Sequence, residues 1–414
     1  MEKFLVINAG SSSLKFQVYD MPKQIVKMSG YFEKIGQNDS FYTLKFNEKK
    51  EKKIVFIPNH EEAVKILINE LFINNIVTDL NQIKGVGHRV VHGGAKYSSS
   101  VIIDEDVIKT IKKLEPLANL HIPANLTGIK NMMIAIPSAT HVAVFDTAFH
   151  QTLPYKKYLY PVPKKWYQEY SVRKYGFHGT SHKYITQEMK KELGKEDVNL
   201  IICHIGSGVS VSEIKEGICR DTSMGMTPLD GLVMGTRSGS IDPSIIDYMT
   251  KVTDMDVAEV IDVLNKKSGF FGIAGKSDCR DLEDMAEKGN EDAITALEMF
   301  KTAVIKYIAQ YYFDLDGKVD AIVFTAGIGE NGIKMRERIV EKLSRTLPIA
   351  LDKDKNNNVA SYLDIQKDII TTNDSAIPIW VMPTNEEKMI LEDTFNLVKQ
   401  IEKNKVLMKK RNYI

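Results

Sequence analysis

The sequence predicts an α/β protein with two similar halves, and three observations carry that prediction. A strand, tight turn and strand open the chain, the same pattern returns about 200 residues later, and a third apolar run ends in a glycine-rich turn. Phe4 to Asn8 is the first apolar run, Ala9 to Ser13 a turn of small residues, and Leu14 to Tyr19 resumes with apolar alternation. Glu61 to Phe72 then sets Val64, Ile66, Leu67 and Leu71 at helical spacing, which predicts an amphipathic packing helix. Val142 to Phe145 reads as a strand that delivers Asp146 at its end. In the second half Leu200 to Cys203 is apolar, His204 to Gly208 is a Gly/Ser turn, and Val209, Val211 and Ile214 resume a strand. This return points to an internal duplication. Asp292 to Tyr312 predicts a second packing helix, and Ala321 to Phe324 runs into the turn Thr325 to Asn331. Strands whose C-terminal ends carry glycine-rich loops are what nucleotide-binding α/β proteins use. Ile377 to Met382 and the turn Pro383-Thr384-Asn385 lead to Glu386 and Glu387. The charged run Glu48 to Lys53 reads as a solvated hairpin tip, Asp352 to Asn358 as a polar surface loop, and Lys403 to Arg411 as the exposed face of a terminal helix.

Composition narrows the function. The 414 residues carry 55 Lys+Arg against 54 Asp+Glu, a formal charge of +1, with 43% hydrophobic residues. That is the balance of a soluble globular protein of about two or three domains. It argues against a broad nucleic-acid surface, which needs clustered cations. Cys203, Cys219 and Cys279 are too widely spaced for a C-x-x-C motif and read as reduced cytosolic thiols. The N-terminal apolar run is broken by Asn8, so it lacks a signal-peptide core. No stretch approaches the roughly 18 apolar residues of a membrane span. A cytoplasmic protein with small-molecule partners, neither lipid nor nucleic acid, is expected.

Three loops carry phosphate-binding chemistry. Asn8-Ala9-Gly10-Ser11-Ser12-Ser13-Leu14-Lys15 places hydroxyls, backbone amides and an ammonium around one turn, although a plain Ser-rich hairpin has the same composition. His204-Ile205-Gly206-Ser207-Gly208 offers similar groups, and the third loop adds Gly327 and Gly329. Together they favour a triphosphate-sized ligand. Arg89 and Arg237 lie among glycines, in G-H-R-V-V-H-G-G and M-G-T-R-S-G, where a guanidinium can approach an anion or form a structural ion pair. Asp146 is a magnesium-linked carboxylate or a cap, and Glu386 and Glu387 are helix-start acids that require no function. His88 with His92, and His178 with His182, have H-x-x-x-H spacing, but glycines interrupt both segments and argue against a helical zinc site. His178 reads better as a donor to a developing phosphoryl charge.

With these residues in hand, the sequence resembles the acetate kinases, of the acetate and sugar kinase/heat-shock 70/actin superfamily. Seven motifs in family order carry the resemblance: Asn8 to Lys15, Gly87 to Gly94, Val144 to Gln151, Tyr175 to His182, Asp221 to Gly239, Phe324 to Asn331 and Pro383 to Glu387. It implies two RNase H-like (actin-like ATPase) domains related by duplication, with the active site in the cleft between them, in a homodimer. Their expected bounds are 1–150 with 387–414, and 151–386. It further implies reversible phosphoryl transfer from ATP to acetate, giving acetyl phosphate and ADP, with Mg2+ or Mn2+ and direct in-line attack by the acetate carboxylate. By position, Asn8, Ser11, Ser13 and Lys15 would line the phosphoryl path. Arg89 and Arg237 would hold the acetate carboxylate and the transferring group, His178 would stabilise the transition state, and Asp146, Asn8 and Glu386 would organise the metal. Val91, Leu120, Phe177 and Pro228 would form the methyl pocket. His121 and His204 match positions near the active site. His204, Ser207 and Gly208 would belong to the second phosphate loop, and Asp278, Cys279, Arg280, Gly327, Ile328, Gly329 and Asn331 would bind adenosine. Such a site needs cations, a metal and water exclusion more than a general base, because a carboxylate is already ionised.

Three departures from the family pattern bear on the nucleotide. Ser207 replaces an asparagine and Val209 a serine, Ser240 stands where aspartate is usual, and Cys279 occupies an aromatic or aliphatic contact position in a loop one residue short. They predict weaker or broader nucleotide binding with the reaction class unchanged. Other readings are a kinase of a longer acid such as propionate, a nucleotide-binding sensor without catalysis, and a metal hydrolase. The joint presence of Arg89, Asp146, His178, Arg237 and Glu386 argues against the sensor, and the glycine-interrupted histidine pairs argue against the hydrolase.

Overall fold

Each half of the chain builds one mixed sheet, and the two sheets repeat one plan. The computed structural model describes residues 2–119, 121–359 and 367–411. The first sheet is made of β1 (Glu2–Ala9), β2 (Ser13–Met21), β3 (Ile25–Glu33), β4 (Phe41–Phe46), β5 (Lys49–Ile54), β6 (Ile83–Val90), β7 (Val101–Ile102) and β8 (Thr140–Phe145), in the order 5-4-3-2-1-6-8-7. The second has β9 (Leu200–Ile205), β10 (Val209–Lys215), β11 (Ile218–Thr222), β12 (Ala321–Thr325), β13 (Asp368–Ile369) and β14 (Ile379–Val381), in the order 11-10-9-12-14-13. In one sheet β3-β2-β1 are antiparallel and β1-β6-β8 parallel. In the other β11-β10-β9 are antiparallel and β9-β12-β14 parallel. This is the expected duplicated RNase H-like fold. Contacts cluster into two compact units: the first runs to Gln151 and takes in the chain again from Asn385, and the second is Thr152–Thr384.

Packing follows from the alternation of side chains along the strands. Leu5 and Ile7 of β1 turn to one face, where Leu67 and Leu71 of the helix His60–Ile73 and Met132 of the helix Ile122–Ala135 cover them. Phe4 and Val6 turn to the other face, against Ile390, Leu391 and Val398 of the long helix Glu386–Arg411. Gly85 and Gly87 of β6 let that helix lie close on the sheet. A Cβ at Gly87 would stand 2.7 Å from the Ile390 side chain and nearer still to Thr394. In the second unit the helix Glu291–Asp314 is the longest element and buries Leu297, Phe300, Val304 and Ile308.

Three local expectations are corrected. The run Glu48 to Lys53 is not a hairpin tip: Asn47 and Glu48 make the turn with positive φ, and the lysines form the edge strand β5. Charged side chains on an exposed edge discourage pairing with other chains. Residues Ala326–Asn331 form a short helix, entered through Ala326 at φ 65°, rather than an open turn. Asp352 caps another short helix, Lys353–Asn358, whose Asn356 is buried because it binds the Arg336 guanidinium.

Candidate active site

Along β1, β6 and β8 the alternation that puts Phe4 and Val6, Gly85 and Gly87, and Val142 and Val144 against the terminal helix continues to Asn8, Arg89 and Asp146. The first unit therefore gathers three candidate side chains at the C-terminal ends of neighbouring strands, beside Glu386 at the start of that helix. Arg89 grips Asp146 with one edge of its guanidinium: Nε donates to Oδ1 and Oδ2 at 3.1 Å and Nη2 to Oδ2 at 2.6 Å. Glu386 Oε2 lies 4.0 Å from Arg89 Nε. The Asp146 carboxylate, 1% exposed, holds the Arg89 guanidinium charged, above its ordinary value. Burial, with Asp146 and Glu387 adding to it, pushes the Glu386 carboxyl up even though Arg89 opposes the shift. Arg89 is thus already paired through Nε and Nη2, which leaves both N–H groups of Nη1 and the second of Nη2 for a ligand.

The turn after β1 is held from behind. Asn8 faces Lys15 across the β1–β2 hairpin, and Gly10 N donates to Ser13 O at 2.9 Å. His60 Nε2 lies 2.8 Å from Gly10 O and 3.3 Å from Ser13 O, and the Asn125 amide donates to Ala9 O at 2.9 Å. In this turn Ser11 is exposed, while Ser12 and Ser13 are half-buried. Asn8, Lys15 and Glu387 share a cavity of about 190 Å³ with Gln17, Ser29, Tyr31 and Lys45. Val91, half-buried, donates its N–H to Asn125 Oδ1 at 3.0 Å. Leu120 lies outside the described residues.

In the second unit the β9–β10 turn, Gly206 to Gly208, is the centre. His204 belongs to β9, paired with Ser210, so the turn is shorter than the sequence predicts. His178 caps the helix Gly179–Leu193 with φ 58°, and Gly179 is its first residue rather than an interruption. His178 Nδ1 and His182 Nε2 both reach Ser210 Oγ, at 2.9 and 2.8 Å. The histidine pair therefore converges on one hydroxyl. The His178 ring stacks on His204 at 4.2 Å, and His204 Nδ1 meets Ser181 Oγ at 2.8 Å. A Cβ on Gly208 would lie 3.2 Å from His178 Nε2 and 3.4 Å from Arg237 Nη1, so a side chain there would press on both by a few tenths of an ångström. Arg237 donates to Pro228 O at 3.3 Å and approaches Met234 Sδ at 3.8 Å, with no carboxylate partner among the described residues. Burial lowers its pKa. A desolvated guanidinium without a counter-charge is a site for an anion. Phe177 is 2% exposed beside His178 in the chain.

The third loop abuts the second: a Cβ at Gly206 would stand 3.6 Å from that of Ala326, while Gly327 has open space around it. Glu330 Oε1 accepts from Ala326 N at 2.7 Å and Thr384 N at 3.0 Å, and Asn331 Nδ2 donates to Gly327 O at 3.0 Å. Arg336, 1% exposed, ties down Gly329 O at 3.0 Å and Glu330 O at 2.7 Å from behind, and burial lowers its pKa to about 10. Ile328 follows on the same short helix. Asp278 caps the helix Cys279–Glu287 and binds Arg280 through Nε at 3.1 Å and Nη2 at 2.7 Å, an exposed pair. Cys279 is 5% exposed, packed inward, and burial raises its thiol to about 12, so its side chain is not presented to solvent. Ser207 is exposed, with its carbonyl 3.4 Å from Gly235 N. Ser240 binds Asp230 Oδ1 at 2.5 Å, where an aspartate would repel it.

Sequence reading missed Asn125, His60, Ser210 and Glu330, which position loops through partners far away in the chain, and Arg336, which ties down the preceding loop from behind. It also missed Glu213, Asp221 and Asp314, whose ligand atoms lie within 4.8 Å of one another. Lysines already neutralise this trio: Lys157 meets Asp221 at 3.1 Å and Asp314 at 2.5 Å, and Lys174 meets Asp221 at 2.8 Å. Burial raises the Glu213 carboxyl to about 7, and its Oε2 has no hydrogen-bond partner. The folded protein thus keeps a proton that the unfolded chain releases. That contribution is whole below the unfolded value of 4.5 and is lost as pH rises through about 7. Glu213→Gln is expected to stabilise the protein by on the order of 3 kcal/mol above pH 8, with the gain vanishing toward about pH 4.5. Thermal melting across that range checks it, and a pH-independent difference would contradict it.

Residues 3–392 match the Acetokinase family. The chain is 47% identical over 400 residues to the acetate kinase of Bacillus velezensis, covering 96% of this chain and all of that one. It superposes on the crystal structure of a propionate kinase from Francisella tularensis with TM-score 0.90 at 40% identity, and on that of the Porphyromonas gingivalis acetate kinase with TM-score 0.89 at 38%. Each covers 96% of this chain and the whole of the other.

Proposed function

Since the chain belongs to the acetokinase family, we propose that it transfers a phosphoryl group reversibly between ATP and acetate, forming acetyl phosphate and ADP. The observation that carries this reading is Arg237, a desolvated guanidinium without a carboxylate partner, set against the Gly206–Gly208 turn beside His178. The acetate carboxylate attacks the γ-phosphorus in line, the new O–P bond forms as the bond to the ADP oxygen breaks, and no proton has to move. Charge then accumulates on the equatorial oxygens, where fixed donors stabilise it. Arg237 and His178 Nε2 serve as those donors. Arg89, locked by Asp146, orients the acetate, and Val91 lines the acyl pocket. Ser11, Ser13, Lys15 and the amides of the second loop hold phosphates. Gly327, Ile328, Gly329 and Asn331, with Asp278 and Arg280, hold the nucleoside, to which Cys279, its thiol packed inward, offers only its backbone.

The acidic side also fits a divalent cation. Asn8, Asp146 and Glu386 are oxygen donors, and the Glu386 carboxyl, raised by burial and its acidic neighbours, carries charge that a cation would relieve. Mg2+, or Mn2+ in its place, would be held by Asn8 and Glu386 and would shield the phosphate charge when bound. Function as a cytoplasmic homodimer belongs to the same proposal. The helix Ser244–Val252 buries none of its residues, and Ile245, Tyr248 and Val252 are exposed apolar side chains that a second copy would cover.

Incubation with MgATP and acetate, propionate or butyrate, trapping acyl phosphate with hydroxylamine, tests the reading. Hydroxamate strongest with acetate and dependent on ATP and metal is expected; nucleotide binding without product would overturn it. Propionate is the second reading, favoured by the Francisella relative, since one methylene is worth only about 1–3 kcal/mol of discrimination. On the nucleotide side, Ser207→Asn, which restores a longer donor at the exposed tip of the second loop, is expected to lower the KM for ATP by about fivefold, the worth of one hydrogen bond. An unchanged KM would remove Ser207 from the nucleotide site.

A further inference from the structure

We propose that Asn125 is a positioning residue that sets the distance between the phosphate turn after β1 and the acyl-pocket loop after β6. The proposal rests on the assignment of Val91 to the acyl pocket made above.

β1 and β6 are adjacent and parallel, and their ladder ends at the pair Ile7 and His88. Beyond it the two backbones separate, and Asn125 bridges them. Its Nδ2 donates to Ala9 O at 2.9 Å and its Oδ1 accepts from Val91 N at 3.0 Å. The side-chain amide thus stands where a peptide unit of an intervening strand would stand, with a donor toward one chain and an acceptor toward the other. Both contacts fix which end of the amide points which way, because the Ala9 carbonyl can only accept and the Val91 N–H can only donate. Asn125 is 6% exposed, and it lies in the first turn of the helix Ile122–Ala135. That helix comes close because Gly128, one turn on, faces Ala9: a Cβ there would stand 2.7 Å from the Ala9 Cβ.

The consequence is functional as well as structural. Asn8 precedes the captured Ala9 carbonyl, and Arg89 lies two residues before the captured Val91 amide. The width of one carboxamide therefore sets the separation of the group assigned to the phosphoryl path from the groups assigned to acetate. Apolar packing alone would not do this, since it fixes volume without fixing backbone register.

The test is steady-state kinetics of Asn125→Ala and Asn125→Asp with acetate and propionate, with thermal melting of each. Asn125→Ala frees both loops. The KM for acetate is expected to rise about tenfold, and the propionate-to-acetate ratio of kcat/KM to rise with it, while the KM for MgATP moves less than about twofold. Asn125→Asp keeps the acceptor for Val91 but turns an oxygen toward Ala9 O. It is expected to lower kcat by about tenfold with the acid preference retained. Variants that melt earlier but keep wild-type KM values, kcat and acid preference would make Asn125 a stability residue only and overturn the proposal. Val91→Ala separates this failure from that of the underlying assignment. If Val91→Ala leaves the acid preference unchanged, the pocket assignment falls and the proposal with it. If Val91→Ala shifts the preference and Asn125→Ala does not, the proposal alone falls.

Discussion

Replacing Arg89 by alanine is expected to remove acyl phosphate formation and a large part of the stability together. Asp146 is 1% exposed and takes three hydrogen bonds from Arg89. Without the guanidinium it becomes a buried charge with its main partner gone, which costs about 3–5 kcal/mol. Activity should fall by about a thousandfold or more, as when a donor to transferring charge is lost. Arg89→Lys keeps the charge and loses the fork, so it should recover stability more than activity. The double variant Arg89→Ala with Asp146→Asn should likewise recover much of the melting temperature and none of the rate. Melting curves and kcat/KM of the three variants check this. A stable, inactive Arg89→Ala protein would mean that the ion pair contributes little to the fold.

Arg237→Ala should give the opposite pairing of effects. Arg237 is desolvated and its partners are a carbonyl and a thioether, so removing it relieves a burial cost and breaks no ion pair. Stability should hold or rise by about 1 kcal/mol, while kcat falls by about a thousandfold with little change in the KM for ATP. Added guanidinium ion should restore part of the rate. A marked loss of stability in Arg237→Ala would mean that the residue is structural. The contrast between the two arginines is the chief information that the structure adds, because in the sequence both stand in similar glycine-flanked segments.

Much of the framework was legible in one dimension because it is local. The two hairpins at Asn8 to Lys15 and at His204 to Val211 show as apolar runs around small-residue turns, and β8 shows as a run that ends in Asp146. The packing helices show by their spacing. What was not legible depends on partners distant in sequence. Asn125 reaches across 116 residues to Ala9, and Arg336 looks like any helix arginine until Asn356 and the carbonyls of Gly329 and Glu330 surround it. Local rules also misled where a tertiary contact outweighed them. Gly179 opens a helix because His178, in a left-handed conformation, is held by Ser210, and the lysines of β5 form a strand because β4 pairs with them. The pairing of Arg89 with Asp146 lies in the same class. Each residue was identifiable as a candidate, but their mutual neutralisation is a property of two adjacent parallel strands.

If the acid's own carboxylate oxygen attacks phosphorus, that oxygen becomes the bridging oxygen of the acyl phosphate. Acetate labelled with ¹⁸O in both carboxylate positions, incubated with the protein and MgATP and followed by ³¹P NMR, tests this attack most directly. The account predicts an acetyl phosphate resonance with the isotope shift of one bridging ¹⁸O, together with unlabelled ADP. ADP and unlabelled inorganic phosphate alone, or acetyl phosphate without the shift, would contradict it.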